Sequence, residues 1–554
     1  MKYVIIGGVA GGASAAARLR RNDESAEIIM FEKGEYVSFA NCGLPYYIGN
    51  VIQERNKLLL QTPASFKNRF NIDVRIQEEV IKIDPANKTV QIKKITDGII
   101  YEESYDKLIL SPGAAPFVPP IPGVDLPGIF TLRNVPDTDR IKSYVENNNV
   151  TSAVVIGAGF IGLEMAENLH HLGVHVTVIE MIDQILAPVD YPIAAILQKH
   201  MRDKGVSLML NTAVTGFEKN NSNTLTVNIK DKAPIDADIV ILSIGVRPEM
   251  KLAIDAGLAI GTAKGISVNE YLQTSDENIY AVGDAIEFKN PITGNPMITY
   301  LAGPANKQGR MVANNIVFGH KEKYNGAINT AILKLFDMTA GATGMASKHL
   351  QKEGIKHIVS TTQSGSHAGY YPGAQNMVIQ IAFDPDNGRL YGAQVAGYEG
   401  VDKRLDIFSM IIKNKGSIYD LMEFEHSYAP PFSSAKDPVN MSGFVADNII
   451  SGKVFMKYWN ELPAPSDNVL YLDVRNKDEF ERGAIPRAIN IPVDELRNRL
   501  DEIPVDKTII IYCQIGLRGY IAQRILRQSG YNNLFNISGG YSLWDVCTTE
   551  KCSL

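Results

Sequence analysis

The chain has 554 residues, 45 % hydrophobic and 21 % charged, an ordinary globular composition. At roughly 150 residues per domain, that length suggests about three or four domains. A net charge of −6 excludes broad nucleic-acid or anionic-membrane binding, since no basic excess drives either. The four cysteines, Cys42, Cys513, Cys547 and Cys552, supply neither a disulfide framework nor a zinc ligand set. Sparse cysteine fits a reducing, cytoplasmic compartment, and no metal site is expected. No run of about 18 apolar residues occurs, so no membrane span is expected.

Met1–Ala17, a lysine followed by small apolar residues, has the outline of a signal peptide. The glycines that follow VII, and Arg18, Arg20 and Arg21 on a helical period, favour strand, turn and helix instead. Tyr3–Ile6 is the strand and GGVAGGASAAARLRR the turn and helix. Such a turn lets the backbone approach a pyrophosphate, while the helix N-terminus supplies N–H groups and a positive dipole end. Gly7 and Gly12 fit the dinucleotide pattern, and Val9 stands where its middle glycine belongs. Glu32 closes IIMFE 20 residues after Gly12, as the expected ribose 2′-OH acceptor.

SFANCGLPYYIG then presents Cys42 with no second cysteine near it. Ser38, Asn41 and Pro45 describe a polar turn into a helix, where a thiolate has a depressed pKa. A second dinucleotide unit follows: strand Ala153–Ile156, the turn G-A-G-F-I-G from Gly157 to Gly162, the helical LEMAENLHHLG, and Glu180 ending VTVIE. Glu180 favours NADH, because a carboxylate repels a 2′-phosphate. Two such units imply two dinucleotides. In NIYAVGDAIE a strand ends at Gly283-Asp284 before a stretch expected to be helical.

Gly443–Pro465 reads as a helix and then a Pro/Ser linker, after which a fresh α/β pattern begins. VLYLDVR and TIIIYC are strands, and YIAQRILRQSG is a helix. Cys513 ends a buried strand and opens a glycine-containing loop, which aims backbone N–H groups and a helix dipole at one sulfur. Cys547 and Cys552 fall in an expected mobile tail, as bystanders.

NIYAVGDAIE resembles the FAD motif of the two-dinucleotide flavoprotein disulfide reductases, whose aspartate bonds the flavin ribityl chain. YDKLILSPGAAP (Tyr105–Pro116) resembles the crossover out of the FAD domain, and SIGVRPE (Ser243–Glu249) the return from the NAD domain. The resemblance implies that Gly7, Gly8, Gly12, Glu32, Lys33, Val80, Ser111, Gly113, Arg133, Gly283, Asp284 and Ala302 hold FAD. It assigns Gly157, Gly159, Phe160, Ile161, Gly162, Glu180 and Gly245 to NADH or NADPH.

Glutathione-reductase-type members carry a CxxxxC pair, whereas GLPYY follows Cys42 here. A single cysteine beside a flavin cycles through a mixed disulfide, a persulfide or a sulfenic acid. SFANCGLPY closely resembles the single-cysteine CoA-disulfide reductases, whose relatives include NADH oxidases and peroxidases. Peroxidase-type members place a histidine on the early helix, where this chain has arginines suited to a phosphate-bearing thiol. The resemblance makes Ser14, Arg18, Arg21, Asn306 and Lys436 CoA contacts and sets Ser38 and Asn41 near the pantetheine arm. Phe70 replaces an expected basic residue, leaving Lys67 or Arg69 as its substitute. It also implies a homodimer in which Tyr370 (or Tyr371) and Tyr428 reach the cysteine of the other subunit.

The segment from about 467 to 546 resembles a rhodanese domain, with Asp473-Val-Arg475, Gly483-Ala-Ile-Pro486, the six-residue loop Cys513–Arg518 and GGYSLW as its signatures. Arg518 adds positive charge to the loop or to an incoming sulfur donor. The fold expected is α/β: two Rossmann-like domains for FAD and NAD(P)H, an α+β dimerisation domain and an α/β rhodanese domain. The expected boundaries are 1–112 with 248–325 (FAD), 113–247 (NAD(P)H), 326–445 (dimerisation), 446–466 (linker) and 467–554 (rhodanese). The implied function is NAD(P)H-dependent reduction of CoA disulfide or CoA persulfide, coupled to sulfur transfer from a sulfane-sulfur donor. The alternatives are an NADH oxidase or peroxidase with a Cys42 sulfenate, and a sulfur carrier or redox sensor.

Overall fold

The computed structural model describes residues 1–220 and 224–553, which form two compact units. One comprises Met1–Met181 and Thr212–Asn329, the other Ile182–Asn211 and Thr330–Leu554.

The first unit is built on two parallel sheets. In one, Ile279–Ala281, Lys107–Leu110, Lys2–Ile6, Glu27–Glu32 and Asp73–Ile76 lie side by side. In the other, His175–Ile179, Ser152–Ile156, Ile239–Leu242 and Ile129–Phe130 do the same. These strands read as continuous apolar runs because helices cover parallel sheets on both faces. The two crossovers between the sheets, Ala114–Pro116 and Val246–Pro248, pair antiparallel with each other. The stretch after Asp284 is not a helix. Ile286–Lys289 forms a strand between Ile266–Ser267 and Pro296–Met297, because Ile286 and Phe288 are buried there, and the next helix begins only at Ala302.

The second unit holds a five-stranded antiparallel sheet in the order 331–335, 338–344, 390–397, 376–383, 358–365. The expected strands Ala331–Leu335 and Asn376–Phe383 are both present. A five-stranded parallel sheet follows, in the order Met456–Lys457, Leu534–Ile537, Thr508–Tyr512, Val469–Asp473, Ile489–Asn490. Its first strand lies inside the segment read as a linker. Helix Pro438–Ile450 runs almost into it, because Met456 and Lys457 find a partner edge at Asn536 and Ile537.

The C-terminus is not a tail either. Gly540–Cys552 is a helix, and Cys547 is fully buried in a cluster with Ala195, Leu543 and Val546. Tyr191 stacks on Trp459, Lys551 pairs with Asp183 at 2.6 Å, and Arg202 reaches Glu550 at 3.2 Å. Helix Tyr191–Asp203 is thereby bound to the C-terminal helix. Among the described residues, no helix is long and apolar enough to cross a membrane.

Arg404 and Asp437, 1 % and 0 % exposed, form an ion pair of 2.9 Å at the N-cap of helix Pro438–Ile450. Burial opposes the Asp437 charge, but hydrogen bonds from Arg404 and Ser433 outweigh it and hold the carboxyl below its ordinary range. Removing one partner strands the other charge in the interior, which costs about 3–5 kcal/mol. Asp437→Ala is therefore expected to lower the free energy of the first urea unfolding transition by that amount, and a loss under about 1 kcal/mol would refute this role for the pair.

Candidate active sites

A cavity of 850 Å³ opens at the C-terminal edge of the first sheet. Gly7, Gly8, Glu32, Lys33, Val80, Ser111, Gly113, Arg133, Gly283 and Asp284 all line it, as do Asn41, Glu249 and Ala305. Gly7 has φ +97°, and a Cβ there would stand 2.0 Å from the Ser111 carbonyl oxygen. Gly12 does not line the cavity but lets the helix close on the strand. Ala302, expected to hold FAD, does not line it; it is exposed on the first turn of its helix, and Ala305, one turn on, faces the cavity. Glu32 accepts the N–H groups of Gly8 at 2.9 Å and Gly34 at 2.8 Å. Glu249 gathers Lys33 at 2.9 Å and Arg133 at 2.6 Å on the rim.

Burial raises the Asp284 carboxyl to about 6, and among the described residues no hydrogen bond to it is found. A half-buried acceptor with no protein donor suits a hydroxyl-bearing ligand. With the glycine turn and the thirteen-residue helix Ala10–Asn22 behind it, the cavity fits FAD.

The second turn repeats the first. Gly157 has φ +98°, and a Cβ there would stand 2.4 Å from the Ser243 carbonyl oxygen. Gly159 caps helix Phe160–His171, which places Phe160 and Ile161 at its N-terminus. Glu180 accepts the Ala158 N–H at 2.8 Å. Gly245 has φ +111°, in the turn before the return crossover.

Cys42 is exposed, in the short turn Asn41–Gly43 that leads into helix Leu44–Ile48. Its thiol is pushed up, not down, by partial burial and by the charges of Glu164 and Asp284. The expected depression fails because the helix is five residues long and two carboxylates oppose its weak dipole. Burial raises Glu164 itself to about 7, against a hydrogen bond from Tyr46 Oη at 3.4 Å.

Cys513 follows strand Thr508–Tyr512 and is buried, 1 % exposed, with the Gly516 N–H directed at its Sγ at 3.1 Å. Gly516 has φ +111° and caps helix Leu517–Gln528. The loop is therefore shorter than the six residues read from the sequence: Leu517 and Arg518 already belong to the helix, whose dipole points back at the sulfur. Tyr541 N–H bonds the Cys513 carbonyl at 2.8 Å, and Ser542 N–H bonds that of Gln514 at 3.1 Å. Gln363, on strand Ile358–Gly365, donates to Ser542 Oγ at 2.8 Å, and Ser542 Oγ donates to the Gln514 carbonyl at 2.9 Å. The antiparallel sheet thus braces the cysteine loop.

Residues 1–308 match the pyridine nucleotide-disulphide oxidoreductase model, residues 330–438 the dimerisation domain of the same family, and residues 459–547 a rhodanese-like domain. The chain belongs to the pyridine nucleotide-disulphide oxidoreductases. It is 36 % identical to a coenzyme A disulfide reductase of Staphylococcus haemolyticus, over 81 % of this chain and 100 % of that one. It is 49 % identical to the reduced CoADR-RHD of Bacillus anthracis, with a TM-score of 0.97 and coverage of 99 % and 98 %. A NAD-dependent persulfide reductase from A. fulgidus is 38 % identical, with a TM-score of 0.93 and coverage of 98 % and 100 %.

In this oxidoreductase, Ser14 and Asn306 hydrogen-bond each other across two packed helices, and Arg18 donates to Asn314 Oδ1 at 2.7 Å. Arg21 and Arg69 are exposed and have no partner among the described residues, whereas Lys67 donates to Asn71 Oδ1 at 2.8 Å. Ser38 has φ +48° and anchors the turn to Gly8 through its N–H. Arg20, between the candidate arginines, is buried and bonded to four backbone carbonyls, so its role is structural. Tyr370 and Tyr428, 75 % and 48 % exposed, share a hydrogen bond of 2.9 Å between their hydroxyls, while Tyr371 packs edge-on against His367. Lys436 is exposed, next to the Asp437 cap.

Glu164, Glu249, Glu479 and Gln363 escaped the sequence reading, since each acts on a site far from it in the chain. The one local signal was for Glu164, two residues beyond the Gly157–Gly162 turn.

The Glu164 charge disfavours the Cys42 thiolate above pH about 7, where that carboxyl is ionised. Glu164→Gln removes that charge, so Cys42 gains thiolate at pH 8. In the FAD-loaded enzyme its alkylation by iodoacetamide is expected to quicken about threefold. An unchanged or slower rate would mean that the carboxylate is not felt at the sulfur.

Proposed function

We propose that this oxidoreductase uses NADH to reduce CoA disulfide and CoA persulfide through Cys42, and that its rhodanese domain handles sulfane sulfur through Cys513. The observation that carries this reading is the pairing, in one chain, of a lone cysteine next in sequence to Asn41 of the FAD-sized cavity, and within reach of the Asp284 charge, with a second cysteine that meets the Gly516 N–H at a helix N-terminus. Relatives named for coenzyme A disulfide and for persulfide reduction support it. The first helix carries no histidine to serve a peroxide, which disfavours a peroxidase.

The chemistry that bound FAD supplies is two-electron transfer from NADH to sulfur. Glu180, at the end of its strand, favours NADH over NADPH. The unpaired Arg21 and Arg69 hold the phosphates of CoA, and Ser14, Arg18 and Asn306 shape the same surface. Cys42 thiolate attacks CoA–S–S–CoA, forming Cys42–S–S–CoA and expelling CoA thiolate. With CoA–S–SH the same attack on the CoA sulfur expels HS⁻. Two electrons then open the mixed disulfide and restore both thiolates. With CoA disulfide the net reaction consumes one NADH and one proton and releases two CoA thiols; with CoA persulfide it consumes one NADH and releases one CoA thiol and HS⁻.

In a homodimer, the Tyr370–Tyr428 pair and Lys436 serve the Cys42 of the other subunit. The tyrosine O–H groups protonate the departing CoA thiolate. Cys513 takes a sulfane sulfur from a donor and presents it to CoA, in the cytoplasm.

Cys42→Ser is expected to abolish NADH-dependent reduction of CoA disulfide while FAD stays bound, and Cys513→Ser to leave that reaction intact. Full turnover by Cys42→Ser sinks the reading. Tyr428→Phe, measured at saturating NADH, is expected to lower kcat for CoA disulfide by about 10²-fold, within the range of general acid catalysis.

A further inference from the structure

The Cys513 loop differs from an open anion cradle in one respect: its cation, Arg518, which reaches the Cys513 sulfur, is also paired with a carboxylate. Arg518 makes two parallel bonds to Glu479, at 2.6 and 2.7 Å, on the first turn of helix Leu517–Gln528. Bidentate geometry of this kind is among the stronger pairings available to a guanidinium. Glu479 is held at about 2 by that bond, so it stays ionised at any working pH.

The neighbouring cations are also matched. Arg475 is buried and bound to Asp473 at 2.7 Å, and Arg482 pairs with Asp478 at 2.7 Å. Lys477 stands 3.8 Å from Glu481. Within residues 513–521 the exposed positions are apolar: Ile515 in the loop, and Leu517 and Ile521 one helical turn apart on the following helix.

We propose that Glu479 is a specificity-determining residue, which offsets the Arg518 charge so that Cys513 takes sulfane sulfur from organic persulfides with an apolar arm rather than from the dianion thiosulfate. This rests on the reading of Cys513 as a sulfur carrier. A dianionic donor must pass exposed Ile515, Leu517 and Ile521 and meets an Arg518 whose charge Glu479 already balances, so less cationic charge is left to repay its desolvation. An organic persulfide with an apolar arm brings at most one negative charge, on its S–S head, against the two of thiosulfate. In the favoured step, Cys513 thiolate attacks the outer sulfur of R–S–SH. The new bond is Cys513–S–S⁻, the donor S–S bond breaks, and the persulfide proton leaves with R–SH. With thiosulfate the same attack expels sulfite. Cyanide takes the sulfur as thiocyanate and restores the thiolate in both cases, so no outside oxidant or reductant is needed.

The test measures thiocyanate formation by the full-length holoenzyme from thiosulfate and from benzyl persulfide, whose arm is apolar and uncharged. It uses wild type, Glu479→Gln and Cys513→Ser. The wild type is expected to favour the organic persulfide by at least about tenfold in kcat/KM, and Glu479→Gln to raise thiosulfate kcat/KM about tenfold while moving the persulfide value less than about threefold. Equal use of both donors by the wild type overturns the proposal, as does a thiosulfate value unmoved in Glu479→Gln. A second measurement needs no variant: the wild-type thiosulfate rate should be flat between low and moderate salt, and a steep fall would reveal an unpaired cation at the mouth and overturn the proposal. If Cys513→Ser retains persulfide turnover, the sulfur-carrier reading itself fails. If turnover needs Cys513 but prefers thiosulfate, only the role of Glu479 fails.

Discussion

Backbone touches backbone twice in the first unit, and both nucleotide cradles depend on it. A β-carbon on Gly12 would stand 1.9 Å from the Gly7 carbonyl oxygen, and one on Gly162 2.0 Å from that of Gly157. No real side chain tolerates such a contact, so each helix closes on its strand only because glycine stands there. The closure aims the first N–H groups of a long helix at the space above the sheet, where a pyrophosphate is best received. It also brings the strand-end carboxylates into reach, so that Glu32 bonds the Gly8 N–H and Glu180 the Ala158 N–H. The middle glycine matters less: Val9 occupies it in the first copy and the cradle still forms.

The two reactive sulfurs sit in opposite electrostatic settings. Carboxylates and partial burial surround Cys42 and disfavour its thiolate. Cys513 is buried but meets an N–H donor and a helix N-terminus. The contrast suits different tasks. A sulfur that attacks a disulfide needs its thiolate only at the moment of attack. A sulfur that carries a sulfane atom must hold a terminal anion through each cycle, and oriented N–H groups do this without reorganisation.

The rhodanese domain is fastened to its neighbours within the second unit by several kinds of contact. Gln363 and Ser542 brace the loop from one side, while the C-terminal helix locks onto helix Tyr191–Asp203 through Glu550, Lys551 and the Tyr191–Trp459 stack. A tethered carrier needs no such bonds. Hydrogen bonds that end on the Gln514 carbonyl tie the shape of the sulfur loop to the antiparallel sheet.

What the sequence determined by itself is what a short stretch of backbone can encode. Strand, glycine turn and helix are set within a dozen or so neighbouring residues, so both cradles, the Cys513 loop and the strands Ala331–Leu335 and Asn376–Phe383 were legible. The family likeness and the paired chemistry of two lone cysteines followed from contiguous motifs of the same kind. Tertiary structure decided whatever rests on residues distant in the chain. Ile286–Lys289 became a strand because two partner edges met it, and the supposed linker and tail were ordered because Asn536 and Tyr191 lay waiting for them. The charge state favoured at Cys42 reversed for the same reason. A five-residue helix is visible in the sequence, but the carboxylates of Glu164 and Asp284 reach the sulfur only through the fold, and Coulombic effects and burial act through space rather than along the chain.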